Sequence, residues 1–143
     1  MQPNTSNILT LRIMHIGLMA GPIIFMTICL TVLKDRMLIE NEVYYLVGLI
    51  IGIFAPMVAF FIPSILSKSM KDQINRDQSY QTLKIIQWAV IESASLINIV
   101  FFFLTGKQES MIIAAVLIII LASRFPSESE KDKLFPSNNL PYN

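Results

Sequence analysis

The chain has 143 residues, 54% hydrophobic and 15% charged, with a mean hydropathy of +0.60. That is too apolar and too sparsely charged for an ordinary water-soluble domain. A net charge of +1 leaves no electrostatic footprint for nucleic acid, and a single cysteine with a single histidine supports neither an intrachain disulfide nor a zinc site of the usual kind.

Four apolar runs follow in chain order, at 13–33, 43–66, 85–105 and 111–123. The first three reach the roughly 20 residues that cross a bilayer core. The first is longer than a signal-peptide core, lacks an A-x-A-like cleavage site and has only Arg12 before it, which reads as a retained helix. It carries His15, Gly17-x-x-x-Gly21 and the interior Pro22; the second carries Gly48-x-x-x-Gly52 and the interior Pro56. Each proline removes a backbone donor, giving a static kink or, in a functional reading, a hinge or cavity wall. The fourth run is short and is expected to start near Gln108 and to let Arg124 snorkel. The expected fold is all-α, an integral membrane four-helix bundle over residues 1–125, with helices near 10–33, 43–67, 82–105 and 108–125. The polar loop 67–81 reads partly as an extension of its neighbouring helices. The cytoplasmic tail 126–143 and residues 1–7 read as extended or disordered, apart from a short acidic-basic stretch in the tail.

Basic residues set the expected orientation. Arg12, Lys68, Lys71, Arg76, Lys84, Arg124, Lys131 and Lys133 fall on one side; Lys34, Arg36 and Lys107 fall on the other. The bias places both termini in the cytoplasm and the protein in a bacterial inner membrane.

The chain also shows an internal repeat. Thr10-Leu11-Arg12-Ile13-Met14 matches Thr82-Leu83-Lys84-Ile85-Ile86, and Phe61-Ile62-Pro63-Ser64 matches Arg124-Phe125-Pro126-Ser127. Two tandem helical hairpins of the same orientation are the simplest reading. The alignment sets Gly17 and Gly21 against Ala89 and Ser93, so these positions, with Gly48 and Gly52, are candidate close-packing sites.

Glu92 is the one acidic residue inside any of the four runs. An ionised carboxylate there is disfavoured by roughly 2.5–3.5 kcal/mol, so a protein-facing, largely protonated carboxyl is expected. At 100° per residue, Gln87, Ser95 and Asn98 share a sector of about 140° with Glu92, with Trp88 inside it. His15 is a candidate partner, although Glu92 lies roughly 7–8 Å deeper.

Several motifs carry a resemblance. These are Tyr80-Gln81, Ile86, Ala89, Glu92, Ala94 and Ile97 on the third helix, followed by Leu104-Thr105-Gly106. Arg124-Phe125-Pro126-Ser127 ends the fourth helix, and Leu18-Met19-Ala20-Gly21-Pro22-Ile23-Ile24-Phe25 lies on the first. Together they resemble a family of small four-helix membrane proteins of Bacteroidota-type bacteria, a family with no assigned function. Here Gln87 stands where that family has a basic residue, Ser93-Ala94 where it has Gly-Pro, and Phe125 between its Arg and Pro. The resemblance implies architecture and no mechanism. A likeness to rotary-ATPase proteolipids fails, because Glu92 lies on the first helix of its hairpin and no glycine-rich ladder precedes it.

The expected function is a membrane-embedded interaction or accessory subunit. Its partners would be the lipid bilayer and either a second copy or another membrane protein. The alternative is a small proton- or cation-coupled carrier using Glu92. No cofactor and no enzymatic role are expected, because no nucleophile–base pair, metal set or phosphate loop is apparent.

Overall fold

A computed structural model describes residues 5–31, 42–70 and 75–136, with side chains from Ile8 onward in the first segment. The described residues form five helices and no strand: α1 Thr5–Thr31, α2 Glu42–Ser69, α3 Arg76–Thr105, α4 Gln108–Ser123 and α5 Glu128–Leu134. The first three are each long and apolar enough to cross a membrane; α4 qualifies only together with α5, across a bend of 82°. At 1.5 Å per residue the 16 residues of α4 rise about 24 Å, short of a core of about 30 Å. A crossing by α4 therefore needs local thinning or a snorkelling Arg124.

Local chemistry sets the helix ends. The Asn75 side chain caps α3 by accepting from the Gln78 N–H at 3.3 Å. The α3 C-terminus closes on Gly106, whose φ of 68° suits a residue without Cβ and whose N–H reaches the Phe102 carbonyl at 2.8 Å. Only Gly106 and Lys107 separate α3 from α4, which folds the pair into a tight antiparallel hairpin. α1 runs unbroken through Pro22, and α2 through Pro56 and Pro63.

α3 is the spine of the molecule. It packs against α1, α2 and α4, while α2 also packs on α4 and α1 touches α4 more lightly. α1 and α2 make at most marginal contact. Two helices that each touch both members of a pair, and not one another, flank that pair on opposite sides. The first hairpin expected from the repeat is thus open, its arms placed around α3 and α4. The starts of α1 and α3 share one end with the finish of α2 and α4. There Leu11, Ala59, Tyr80, Leu83, Trp88 and Leu121 belong to the main buried cluster. A smaller cluster of Cys29, Ile99 and Ala114 fills the other end. The outward faces carry exposed Ile13, Ile24, Phe54, Phe61, Ile112 and Ile119, an apolar surface of the kind that marks membrane contact.

One boundary expectation needs correction, and two others gain definite limits. Residues 5–7 are helical and not extended, since α1 starts at Thr5; residues 1–4 lie outside the described residues. The helical extension expected within 67–81 is present, as α2 continues to Ser69 and α3 begins at Arg76; 71–74, with Lys71, lie outside the described residues. The tail is ordered as far as Phe135, which is only 4% exposed, because α5 is capped and ion-paired as described below. The stretch 32–41, with Lys34 and Arg36, and the tail beyond Pro136 also lie outside the described residues.

Candidate functional site

The polar sector of α3 is divided between two neighbours. Gln87 and Asn98 lie on its α2 edge; Trp88 and Glu92 lie on its α1 edge. The Gln87 Nε2 donates to the Ala59 carbonyl at 2.9 Å. That carbonyl is four residues before Pro63, which has no N–H to give it. The glutamine therefore supplies the donor that the proline removes from α2. Ser95 Oγ donates to the Glu92 carbonyl at 2.8 Å, and Asn98 Nδ2 donates to the Ala94 carbonyl at 3.0 Å. Asn98 Oδ1 is buried without a hydrogen bond among the described residues and lies 2.7 Å from where a Cβ on Gly48 would stand.

Two aromatic side chains act similarly at the end of α4. The fully buried His15 donates from Nε2 to the Leu121 carbonyl at 3.0 Å, which leaves Nδ1 as a buried acceptor without a partner among the described residues. Its ring lies 4.5 Å from that of Trp88 and 5.4 Å from that of Phe125. Trp88 Nε1 donates to the Arg124 carbonyl at 3.1 Å. The Leu121 carbonyl also accepts the Arg124 N–H at 3.1 Å, so His15 adds a second donor there, while Trp88 supplies a donor to the carbonyl of Arg124, the C-cap residue. His15 is therefore engaged with α4 and Trp88 and does not meet Glu92.

Glu92 is half-buried, and its carboxyl has no hydrogen bond or ion pair among the described residues. Its nearest feature on α1 is Gly21, where an added Cβ would stand 3.4 Å from Oε1. Gly17, one turn away, is exposed and would meet nothing within 4 Å, so it makes no close-packing contact among the described residues. Ser93 is also exposed, and Ala89 is half-buried. The other stripe is covered. A Cβ on Gly48 would press on Asn98 and Phe101, and one on Gly52 would collide with the Ile113 side chain. The backbone of α2 approaches α3 and α4 closely at these two positions, as small residues permit.

A second constellation was not anticipated as a site. Lys84, expected at the cytoplasmic edge, is 1% exposed. Its Nζ lies 2.6 Å from Glu130 Oε2 on α5 and 3.4 Å from Gln87 Oε1. The Tyr80 hydroxyl also reaches Glu130, at 3.0 Å. Ser127 caps α5 by accepting from the Glu130 N–H at 3.2 Å, half of a capping box, while the Glu130 carboxylate turns to Lys84 instead of back to the cap. Arg76 pairs with Asp132 at 2.6 Å, and Lys131 with Asp77 at 3.3 Å and Glu128 at 2.7 Å. Burial works against the charge on Lys131, but its hydrogen bonds to Glu128 and Asp77 outweigh that and hold its pKa above the usual lysine value. The detectable signal was Ser127-x-x-Glu130 beside alternating charges; its partners on α3 lie some fifty residues away in sequence.

Among the described residues no group of three or more His, Cys, Asp or Glu side chains is placed to hold a metal. Comparison with protein families, with curated proteins and with solved structures gives no match to this chain.

Proposed function

We propose that this chain is an integral four-helix protein of the bacterial inner membrane, with both termini cytoplasmic, that serves as a membrane-embedded interaction or accessory subunit. One observation carries the reading: the Glu92 carboxyl stands mid-helix without a partner among the described residues, beside the exposed Gly17 and Gly21 of α1. A carboxyl at that depth calls for a hydrogen-bonding partner, and uncovered small residues let a second helix approach it closely. A partner helix, from another copy or another membrane protein, would bring that polar group. The carrier reading draws on the same carboxyl, but Gln87, Ser95 and Asn98 each donate to backbone carbonyls and form no polar relay to it.

The tandem repeat belongs to this proposal. Its support is a crossed pair of contacts: His15 and Gln87 hold equivalent repeat positions, and each donates to a backbone carbonyl near the end of the even-numbered helix of the other hairpin. The open first hairpin and closed second are where the two halves diverge. Kinship with the Bacteroidota-type family is likewise part of the proposal and rests on the quoted motifs.

The test uses two variants of Glu92. Glu92→Gln keeps a neutral hydrogen-bonding group and should leave assembly in mild detergent unchanged. Glu92→Leu should weaken assembly by roughly 3- to 30-fold, the range set by one interhelical polar contact of about 0.6–2 kcal/mol. Proton flux into liposomes, read with a pH-sensitive dye, is measured alongside. Flux that vanishes in Glu92→Gln at unchanged thermal stability would establish the carrier instead.

A further inference from the structure

A groove of about 410 Å³ lies between α2 and α4. Pro56, Met57 and Phe60 of α2 form one wall and Ile120 of α4 the other, with the buried Ile91 of α3 beneath. Its lining is apolar except at one end, where α4 finishes in Ser123 and Arg124. The Arg124 guanidinium lies 5.4 Å from the centre of the Phe60 ring and has no carboxylate partner among the described residues. Arg76, Lys84 and Lys131, by contrast, are all paired with carboxylates. A lone cation at the mouth of an apolar groove complements an amphiphile with an anionic head and a hydrocarbon tail. The expected orientation sets Arg124 at the cytoplasmic interface, where basic pockets between helices meet anionic headgroups.

We propose that this groove binds one acyl chain of an anionic phospholipid whose phosphate is held by Arg124. The proposal rests on the membrane reading above. Met57, Phe60 and Phe61 of its lining are exposed on the outer face of α2, so the chain enters from hydrocarbon while the head stays at the interface. The guanidinium offers a charge-assisted, bidentate fit to a phosphate, and the Phe60 ring steadies it from one side.

Trp88 is the only tryptophan, and its indole donates to the Arg124 carbonyl, so its fluorescence reports on the groove's polar end. The full chain is reconstituted in phosphatidylcholine vesicles, and brominated phosphatidylglycerol or brominated phosphatidylcholine is titrated in as quencher. The anionic lipid should quench at a mole fraction roughly tenfold lower than the zwitterionic one, as a charge-assisted hydrogen bond implies. Arg124→Gln should erase that preference with helical content and Trp88 emission unchanged, while Arg12→Gln should keep it. Ser123→Phe, which fills the groove, should reduce quenching by both lipids. Equal quenching by the two lipids in the wild type, or a preference that survives Arg124→Gln, would overturn the groove proposal alone. A chain that fails to float with vesicles would overturn the membrane reading and this proposal together.

Discussion

At the scale of single residues, the most instructive contact is Gln87 with the Ala59 carbonyl. An amide side chain supplies the hydrogen bond that a proline withholds from a continuous helix, so the value of Gln87 depends on Pro63. Gln87→Leu should lower stability by about 1–2 kcal/mol, as expected when a buried acceptor loses its donor. In a Pro63→Ala background the backbone N–H returns and the same change should cost less than about 0.5 kcal/mol. Unfolding of the four proteins of this double-mutant cycle in mixed micelles measures the difference. An equal cost in both backgrounds would show that Gln87 acts through packing. The sequence marked Gln87 as a polar group that needed a partner, and it marked Gly48 and Gly52 as close-packing positions. It could not show that Gly17 is uncovered, because a small-residue spacing is the same whether or not a neighbouring helix fills it. Nor could it show that the polar sector of α3 divides between α1 and α2, because helical periodicity fixes directions on one helix and not the identity of its neighbours.

At the scale of elements, α5 decides how the expected cytoplasmic end is closed. Its seven residues are too few to hold a helix in isolation, so docking must stabilise it. The docking rests on Glu130 meeting Lys84 and Tyr80, with Arg76–Asp132 and Lys131–Asp77 outside them. The two ends of the central pair are unequal: the Lys84 side chain is 1% exposed and that of Glu130 is 32% exposed. Glu130→Gln would strand a buried cation, whereas Lys84→Met would replace it with an apolar side chain of similar reach and leave a carboxylate that can turn to water. Glu130→Gln should therefore destabilise by about 2–3 kcal/mol and Lys84→Met by about 1 kcal/mol or less. Thermal unfolding together with tryptic cleavage at Lys131 and Lys133 reads both effects; the reverse order would mean that Glu130 and not Lys84 bears the burden of burial. Composition set this acidic-basic stretch apart from the tail around it but did not show what it docks on. Its order comes from charges on α3, and pairing over that sequence distance is not written in local pattern.

At the scale of the whole molecule, the helices themselves were legible because long apolar runs have one economical solution in lipid. Their arrangement was not, since apolar surface packs without preference for sequence neighbours and α3, not the first hairpin, became the centre. The two ends differ in chemistry. One carries Arg12 beside Phe125, Arg124 beside Phe60, and α5; the other carries Tyr44 beside Phe101 and Lys107 over Tyr45. Ion pairing neutralises Arg76, Lys84 and Lys131 at the first end, but Arg12, Lys68, Arg124 and Lys133 have no carboxylate partner among the described residues. With the three paired residues set aside, the sequence still sets Arg12, Lys68, Lys71, Arg124 and Lys133 on one expected side against Lys34, Arg36 and Lys107 on the other, so the positive-inside bias keeps its sign but narrows to five against three. The expected outcome is that a fluorescent protein fused after Asn143 is bright in cells, while alkaline phosphatase at the same point is inactive. A cysteine introduced by Lys107→Cys, in a Cys29→Ala background, should react with an impermeant thiol reagent added from the periplasmic side. Active phosphatase at the C-terminus, or labelling at 107 only after the inner membrane is breached, would invert the molecule. It would also place Arg124 and its groove in the outer leaflet.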